Sequence, residues 1–247
     1  MLTVERQKLI MDIVNDSGSV TVSELMDKLN ASESTIRRDL QAMDMAGKLK
    51  KVHGGAVAVV NKYKTDDAKV ELRKQLNKKE KVAIAKYAAS LVNDKDFVYL
   101  DAGTTTEIMI DYLKCKDVIF VTNAIEHARK LTAKGFVTYI LGGEFKEITE
   151  AIVGTEALLN LDKYNFTKGF FGANGFSIDN GFTTPDIKEA IVKKKAIESS
   201  KESYVLMDSS KFEQVAAITF ADYEGITIIT DSRLQKKYEN VLIKKVK

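Results

Sequence analysis

The amino-acid sequence predicts a protein of mixed α/β class in two parts, a small helical module with a β-hairpin and a larger domain built on a mostly parallel sheet. All twenty Phe and Tyr residues lie at position 63 or later, so a module with an aliphatic core precedes one with an aromatic core. Beyond residue 77, short β-branched and aromatic runs alternate with helical stretches, as in parallel sheets covered on both faces. We expect domains at 1–60 and 77–247, joined by a charged linker at 61–76.

Composition indicates a folded chain in a reducing compartment. Of the 247 residues, 45% are hydrophobic, which is enough for a substantial core. Cys115 is the single cysteine and no apolar run is long enough to span a bilayer, so we expect a cytoplasmic protein without disulfide or membrane segment. The net charge of +3 says little about nucleic acid, because residues 1–60 hold eight basic and eight acidic residues.

The first module predicts three helices. A first helix is expected over about Val4–Asn15, and the capping-box pattern Thr21–Glu24 opens a second. A third helix is expected from Glu33 to Ala46, with Ser32 as its N-cap and Gly47 as its C-terminal stop. A tight turn joins the second and third helices, which is typical of a helix-turn-helix.

The third helix is amphipathic at 100° per residue, with Ile36, Leu40 and Met43 on one face. The opposite face has no large apolar residue. It carries groups that reach phosphates and base edges in a major groove, namely Ser34, Arg37, Arg38 and Gln41. The alternative is an ordinary solvated face, and the neighbouring helix and hairpin favour the DNA-contacting interpretation.

A β-hairpin is expected after the third helix, with strands Lys48–Val52 and Ala56–Val60 around the turn His53–Gly55. A hairpin in this position is the wing of a winged helix-turn-helix. Its lysines are placed to lie along a phosphate backbone; the alternative is that they only protect an edge strand from aggregation. His53 is expected to form hydrogen bonds in the turn.

Five polar or glycine-containing loops follow five predicted strands of the larger domain. Ligands of such sheets bind at the carboxyl ends of the strands, and glycine lets a backbone approach a ligand closely. Asp101–Thr106 runs from a strand into a helix N-terminus, where free N–H groups favour an anion. Any one loop alone reads as a plain turn, whereas five together favour a shared pocket. The five loops are Asp101–Thr106, Thr122–Asn123, Gly142–Gly143, Gly172–Gly175 and Asp208–Lys211.

These motifs resemble a known family. Thr35–Leu40, Gly47 and Val52–Ala56 resemble the N-terminal module of the DeoR family of bacterial transcriptional regulators. The five loops, with Thr184–Glu189, resemble the DeoR sensor domain, whose fold is similar to ribose-5-phosphate isomerase. The resemblance implies that the third helix is the recognition helix. It also implies a phosphorylated sugar as effector, with its phosphate near Gly103–Thr106 and Lys211.

The resemblance therefore predicts a repressor of a sugar-catabolic operon that binds double-stranded operator DNA and is released by a phosphorylated sugar. Among DeoR members the chain most resembles repressors of fructose operons, which implies fructose 1-phosphate. We expect a homodimer or homotetramer, and no catalytic residue, metal or cofactor. The expected DNA contacts are Ser32, Ser34, Thr35, Arg37, Arg38, Gln41, Lys48, Lys50, Lys51 and His53. The expected effector contacts are Asp101, Gly103, Thr104, Thr105, Thr106, Thr122, Asn123, Gly142, Gly143, Gly172, Asn174, Gly175, Thr184, Glu189, Asp208 and Lys211.

The alternative is an enzyme of the sugar-phosphate isomerase kind with an appended DNA-binding domain. Four ionisable residues of the larger domain, Asp101, Glu189, Asp208 and Lys211, would form its acid–base set. Proton transfer requires such groups within hydrogen-bond reach of the substrate, so their positions test this alternative.

Overall fold

The computed structural model describes residues 3–46, 48–58, 63–64, 69–231 and 238–246. The chain divides into two compact units, Met1–Asn61 and Lys62–Lys247. Each unit has its own hydrophobic core.

The N-terminal unit contains the predicted three helices and hairpin, and a third short strand. Its strands form an antiparallel sheet in the order β1-β3-β2. The predicted capping box at the start of the second helix is present, because Thr21 and Glu24 bond each other's backbone N–H groups. The elements are α1 (Thr3–Ser17), β1 (Ser19–Thr21), α2 (Val22–Leu29), α3 (Glu33–Met45), β2 (Leu49–Val52) and β3 (Gly55–Ala58).

The third helix is anchored by both an apolar face and an ion pair. Ile36 and Leu40 are fully buried in the small core. Asp39 is also buried, and its carboxylate accepts a hydrogen bond of 2.5 Å from the Arg6 guanidinium of α1. Ser32 occupies the N-cap position, but its side chain makes no capping bond. The expected stop at Gly47 lies outside the described residues.

The second unit is built on short strands and helices that alternate along most of its length. The helices are α4 (Val70–Gln75), α5 (Lys78–Ser90), α6 (Thr104–Asp111), α7 (Ile125–Ala133), α8 (Thr155–Leu161) and α9 (Ile187–Glu198), with a 3₁₀ turn at Ser209–Lys211. The strands are β4 (Tyr63–Lys64), β5 (Phe97–Leu100), β6 (Ile119–Thr122), β7 (Val137–Ile140), β8 (Glu144–Lys146), β9 (Ala151–Val153), β10 (Phe166–Gly172), β11 (Gly175–Ser177), β12 (Gly181–Thr184), β13 (Ser200–Leu206), β14 (Val215–Ala216), β15 (Ile218–Ala221), β16 (Ile226–Thr230) and β17 (Ile243–Lys245).

Seven strands form a parallel sheet in the order β17-β16-β13-β10-β5-β6-β7. Successive side chains of β5 point to opposite faces. Val98 and Leu100 join the apolar cluster with α5 and α6, and Tyr99 joins the cluster with α8 and α9. The predicted α/β fold with a mostly parallel sheet is confirmed, and the last strand lies at the edge, parallel to its neighbour.

The sequence patterns missed the short antiparallel strands. β8 and β9 form a hairpin, and β11, β12 and β15 form a three-stranded sheet. The segment 61–76, expected to be a linker, contains α4 and β4, and β4 pairs with β14 of the second unit. β4 and β14 have two residues and β8, β9 and β11 have three, which is too short for a period of two to be read from sequence.

Candidate functional site

The outer face of α3 presents the predicted polar groups to solvent. Arg37, Arg38 and Gln41 are exposed, as are Ser32 and Ser34, whereas Thr35 is half-buried. The burial of Ile36, Leu40 and Met43 on the opposite face fixes this orientation. The helix therefore offers two guanidinium groups on the surface of the N-terminal unit.

The two arginines differ in their contacts. The Nη2 atom of Arg37 lies 2.7 Å from the Glu33 carboxylate, one turn earlier on α3. The Arg38 guanidinium has no hydrogen bond or ion pair with any residue that the structure describes. Exposed ion pairs of this kind are weak, so Arg37 can exchange Glu33 for a phosphate or base at little cost.

The hairpin adds positive charge beside α3. Lys48 and Lys50 are exposed, and so is His53 in the turn. Lys51 is half-buried, and its ammonium donates to Gln41 Oε1 at 2.5 Å. This contact joins the wing to Gln41 on the outer face of α3.

In the second unit, a cavity of about 170 Å³ lies over the carboxyl ends of β5, β10 and β13. The loop residues Gly103, Thr104 and Thr105 line it at the start of α6. The other predicted residues that line it are Gly172, Asn174, Asp208 and Lys211. The structure therefore brings three of the five predicted loops to one cavity.

Four polar residues of this cavity were missed by the sequence analysis. Arg73 of α4, Asn77 and Lys81 at the start of α5, and Ser210 all line it. Asn77 donates its side-chain N–H to Asp208 Oδ1 at 2.9 Å. Three of the four lie at 73–81. In that charged segment, only the alternation of basic and apolar residues could have indicated side chains that face a cavity.

The cavity favours an anion. Three cationic side chains line it, Arg73, Lys81 and Lys211, against the single carboxylate of Asp208. The N-cap of α6, Gly103, makes no side-chain capping bond, so the first N–H groups of that helix are available to a ligand. Burial lowers the pKa of Lys81, and the nearby Asp208 carboxylate opposes this shift.

Other predicted effector residues hold the Asp101–Thr106 turn rather than line the cavity. Asn123 Oδ1 accepts the Ala102 N–H at 2.8 Å, and its amide donates to the Ile152 carbonyl. The Thr106 hydroxyl donates to the Asp101 carbonyl at 2.7 Å, and the Thr122 hydroxyl donates to the Leu100 carbonyl. Their polar atoms are therefore used inside the protein.

Asp101 forms a buried ion pair that the sequence did not reveal. Its Oδ2 contacts the Lys193 ammonium of α9 and accepts the Gly172 N–H at 3.0 Å. Burial raises the pKa of Asp101, and Lys193 opposes that rise. Asp101 therefore connects the start of the α6 turn to Lys193 of α9 and to the end of β10.

The remaining predicted polar residues form hydrogen bonds with neighbouring elements of the second unit. Glu189 is buried and accepts from Lys146 at 2.9 Å and from Thr149 at 2.5 Å. The Gly142 N–H donates to the Asn160 side chain, and the Thr184 hydroxyl donates to Asn174 Oδ1 at 3.2 Å.

Two glycines are required by close backbone approach. Gly143 has φ +142°, and a Cβ there would lie 2.5 Å from the Val153 carbonyl oxygen. A Cβ at Gly175 would lie 2.2 Å from the Gln214 carbonyl oxygen. Both glycines therefore serve local packing of the chain.

A buried histidine lies behind the α6 turn. His127 of α7 is 3% exposed, and its Nε2 lies 3.1 Å from the Thr106 hydroxyl. Its Nδ1 is buried without a hydrogen-bond partner among the described residues. Burial lowers the pKa of His127 to about 4, so the imidazole is neutral near pH 7.

Family models cover most of the chain. The DeoR-like helix-turn-helix domain matches residues 6–62, and the DeoR C terminal sensor domain matches residues 76–232. The chain belongs to the DeoR family. It is therefore a transcriptional regulator with a DNA-binding domain and a sensor domain, as the sequence motifs predicted.

Curated relatives of this DeoR-family chain are named as regulators. It is 44% identical to the uncharacterized HTH-type transcriptional regulator FruR of Bacillus subtilis (strain 168), over 97% of this chain and 95% of the relative. It is 34% identical to the lactose phosphotransferase system repressor of Lactococcus lactis, over 94% of this chain and 92% of that protein. A ribose 5-phosphate isomerase A from Methanocaldococcus jannaschii has 19% identity over 55% of each chain, with a TM-score of 0.40.

The described residues contain neither a membrane-spanning helix nor a metal-binding cluster. None of the helices there has the length and apolar character needed to cross a membrane. Within the same part of the chain, no group of three or more His, Cys, Asp or Glu side chains is placed to hold a metal ion.

The buried His127 predicts a pH dependence of stability. Its pKa is about 4 in the folded chain and near 6.5 when exposed, so the unfolded chain binds the proton first as the pH falls. Stability is therefore lost between about pH 6.5 and 4, by about 2 kcal/mol already at pH 5. Urea unfolding at pH 7.5 and 5 measures this loss.

His127→Gln is the matched variant, because its amide preserves a polar contact to Thr106 and does not titrate. The loss of unfolding free energy between pH 7.5 and 5 is expected to be smaller in this variant by about 2 kcal/mol. An equal pH dependence in both proteins would contradict the assignment of a neutral buried imidazole.

Proposed function

We propose that this chain represses a sugar-catabolic operon by binding operator DNA through α3 and the wing, and that a phosphorylated sugar bound in the cavity releases it. The carrying observation is the cavity at the N-terminus of α6, with its three cationic side chains. Such a site suits a phosphate, and the neighbouring amides and hydroxyls suit sugar hydroxyl groups. The regulator acts in the cytoplasm, where bacterial operators lie.

Operator binding is supported by the exposed face of α3. Arg37 and Arg38 have the donor geometry for bidentate contact with guanine or phosphate. Lys48 and Lys50 extend the positive surface along the wing. A single module of this size contacts too little DNA for a specific site, so we propose a homodimer or homotetramer that presents two recognition helices to repeated half-sites.

Fructose 1-phosphate is the proposed effector. The relative with 44% identity over nearly the whole chain carries the name FruR, which supports a fructose derivative. The cavity supports a phosphate ester, because its cationic side chains outnumber its carboxylates. The proposal assigns the phosphate to the α6 N-terminus with Lys211, and sugar hydroxyls to Asp208 and Asn174.

The enzymatic alternative is not favoured by the positions of its acid–base set. Asp208 and Lys211 line the cavity. Asp101 is paired with Lys193, and Glu189 is held by Lys146 and Thr149 outside the cavity-lining set. Relatives named as regulators and repressors also support a role in transcription.

Removing either recognition-helix arginine is expected to weaken specific DNA binding. For Arg37→Ala and Arg38→Ala we expect roughly a 5- to 150-fold loss of affinity for each arginine that reads a base edge. An arginine that contacts only phosphate instead reduces the slope of log affinity against log salt by about one. Fluorescence anisotropy on DNA selected from a random library by the wild-type chain measures both quantities.

Arg129→Ala is the matched control, because Arg129 is an exposed arginine of α7 in the second unit, paired with Glu126. It is expected to leave both DNA affinity and its salt dependence unchanged. If Arg37→Ala and Arg38→Ala behave like this control, the assignment of α3 as the recognition helix is wrong.

Removing the cavity lysine is expected to weaken effector binding. Lys211→Met loses one charge-assisted contact to the phosphate, so the affinity for fructose 1-phosphate is expected to fall roughly 10- to 100-fold. DNA affinity without sugar is expected to stay unchanged. Calorimetric titration, supported by the ligand-induced thermal shift, measures the effect.

Lys201→Met serves as the control, because Lys201 is an exposed lysine of β13 that does not line the cavity. It is expected to bind fructose 1-phosphate like the wild type. Equal affinities in Lys211→Met and Lys201→Met would show that the phosphate lies elsewhere.

A further inference from the structure

A second, smaller cleft lies against the α6 N-terminus. It has room for about one water-sized group, about 10 Å³, and shares Arg73, Ala102, Gly103 and Thr104 with the larger cavity. His127 also lines this cleft. A ligand held at the α6 turn is therefore in reach of both spaces.

His127, which lines the cleft, has an unused hydrogen-bond acceptor. The Thr106 hydroxyl has one proton and lies 2.7 Å from the Asp101 carbonyl oxygen and 2.8 Å from the Gly103 carbonyl oxygen, so we assign its proton to a carbonyl and the N–H of His127 to Nε2, which donates to the hydroxyl oxygen. The neutral imidazole then carries a lone pair on Nδ1, and this atom has no partner among the described residues. A buried acceptor without a donor is costly, which indicates that a ligand group or water supplies one.

Arg73, which lines both spaces, has an unused donor. The Nε atom of Arg73 is buried without a hydrogen-bond partner in the part of the chain that the structure describes. A hydroxyl group both donates and accepts, so it can satisfy an imidazole lone pair and a guanidinium N–H together. A phosphate dianion only accepts, and it cannot satisfy a neutral Nδ1.

The small cleft and the larger cavity differ in the charge of the residues that line them. Three carboxylates line the small cleft, those of Glu107, Glu126 and Glu150. Glu107 is neutralised by Lys74 at 3.0 Å and by Lys130 at 2.8 Å. The larger cavity holds three cations against one carboxylate. Arg73 also lines the cleft and Glu126 is paired with Arg129 at 3.6 Å, so the cleft still carries less net positive charge than the larger cavity and is the weaker of the two sites for a phosphate.

We propose that this cleft is a hydroxyl-recognition subsite, in which a sugar hydroxyl donates to His127 Nδ1 and accepts from Arg73. The inference rests on the proposed function and deepens it, because it specifies the class of effector. The sensor selects a sugar monophosphate with a free hydroxyl at its distal end, and it discriminates against a bisphosphate that would place a second anion beside these carboxylates.

The test is calorimetric titration of the full chain with fructose 1-phosphate, fructose 6-phosphate, glucose 6-phosphate, fructose 1,6-bisphosphate and inorganic phosphate. In the wild type, the tightest monophosphate is expected to bind at least about 10-fold more tightly than the bisphosphate. In His127→Gln, that monophosphate is expected to lose about 10-fold in affinity, the value of one hydrogen bond. Inorganic phosphate, which does not reach the cleft, is expected to bind both proteins equally.

His127→Asn is the rescue variant, because its side-chain oxygen replaces Nδ1 as acceptor while the contact to Thr106 is lost. It is expected to bind the monophosphate within about 3-fold of the wild type. Circular dichroism and melting curves check that both variants are folded. The comparison of monophosphate with bisphosphate affinity is made on the wild type, so it does not depend on the folding of a variant.

Three results overturn the subsite: unchanged monophosphate affinity in His127→Gln, equal losses in both variants, or a bisphosphate that binds as tightly as the monophosphate. Failure of every sugar phosphate to bind the wild type is a different result. It removes the proposed function, and the subsite with it.

Discussion

The turn that starts α6 is the element on which the sensor site depends. Its backbone is held by Asn123, which accepts the Ala102 N–H, and by Thr106, which donates to the Asp101 carbonyl. Because these bonds are satisfied inside the protein, the first N–H groups of α6 stay oriented toward the cavity without a ligand. Preorganised donors of this kind cost no reordering when an anion binds.

The segment that follows the N-terminal unit is part of the same site. Arg73 and Asn77 come from it, and Lys74 pairs with Glu107 of α6 at 3.0 Å. The Lys81 ammonium donates to the Arg73 carbonyl, which fixes the end of α4 to α5. These contacts fix the segment that carries Arg73 and Asn77 within the second unit, so its cavity-lining side chains are held in place before a ligand binds.

Sequence patterns predicted the helices other than α4, the parallel strands and the loop at Asp101–Thr106, because their periodicity and caps are local properties. They did not separate Thr104, which lines the cavity, from Thr106, whose hydroxyl is used inside the turn. Both are threonines at a helix start, and only tertiary packing distinguishes their directions. Arg73 was missed for a related reason. Its position at the cavity depends on how α4 packs against the second unit, and the local sequence does not reveal that packing.

The central claim is that two anion-binding surfaces on one chain are energetically coupled, and one measurement tests it most directly. The dissociation constant for selected operator DNA is measured by anisotropy with and without saturating fructose 1-phosphate. A coupling of about 1–3 kcal/mol predicts that the sugar phosphate raises this constant roughly 5- to 150-fold. If the sugar phosphate binds the sensor unit and the DNA dissociation constant stays the same, the account is contradicted.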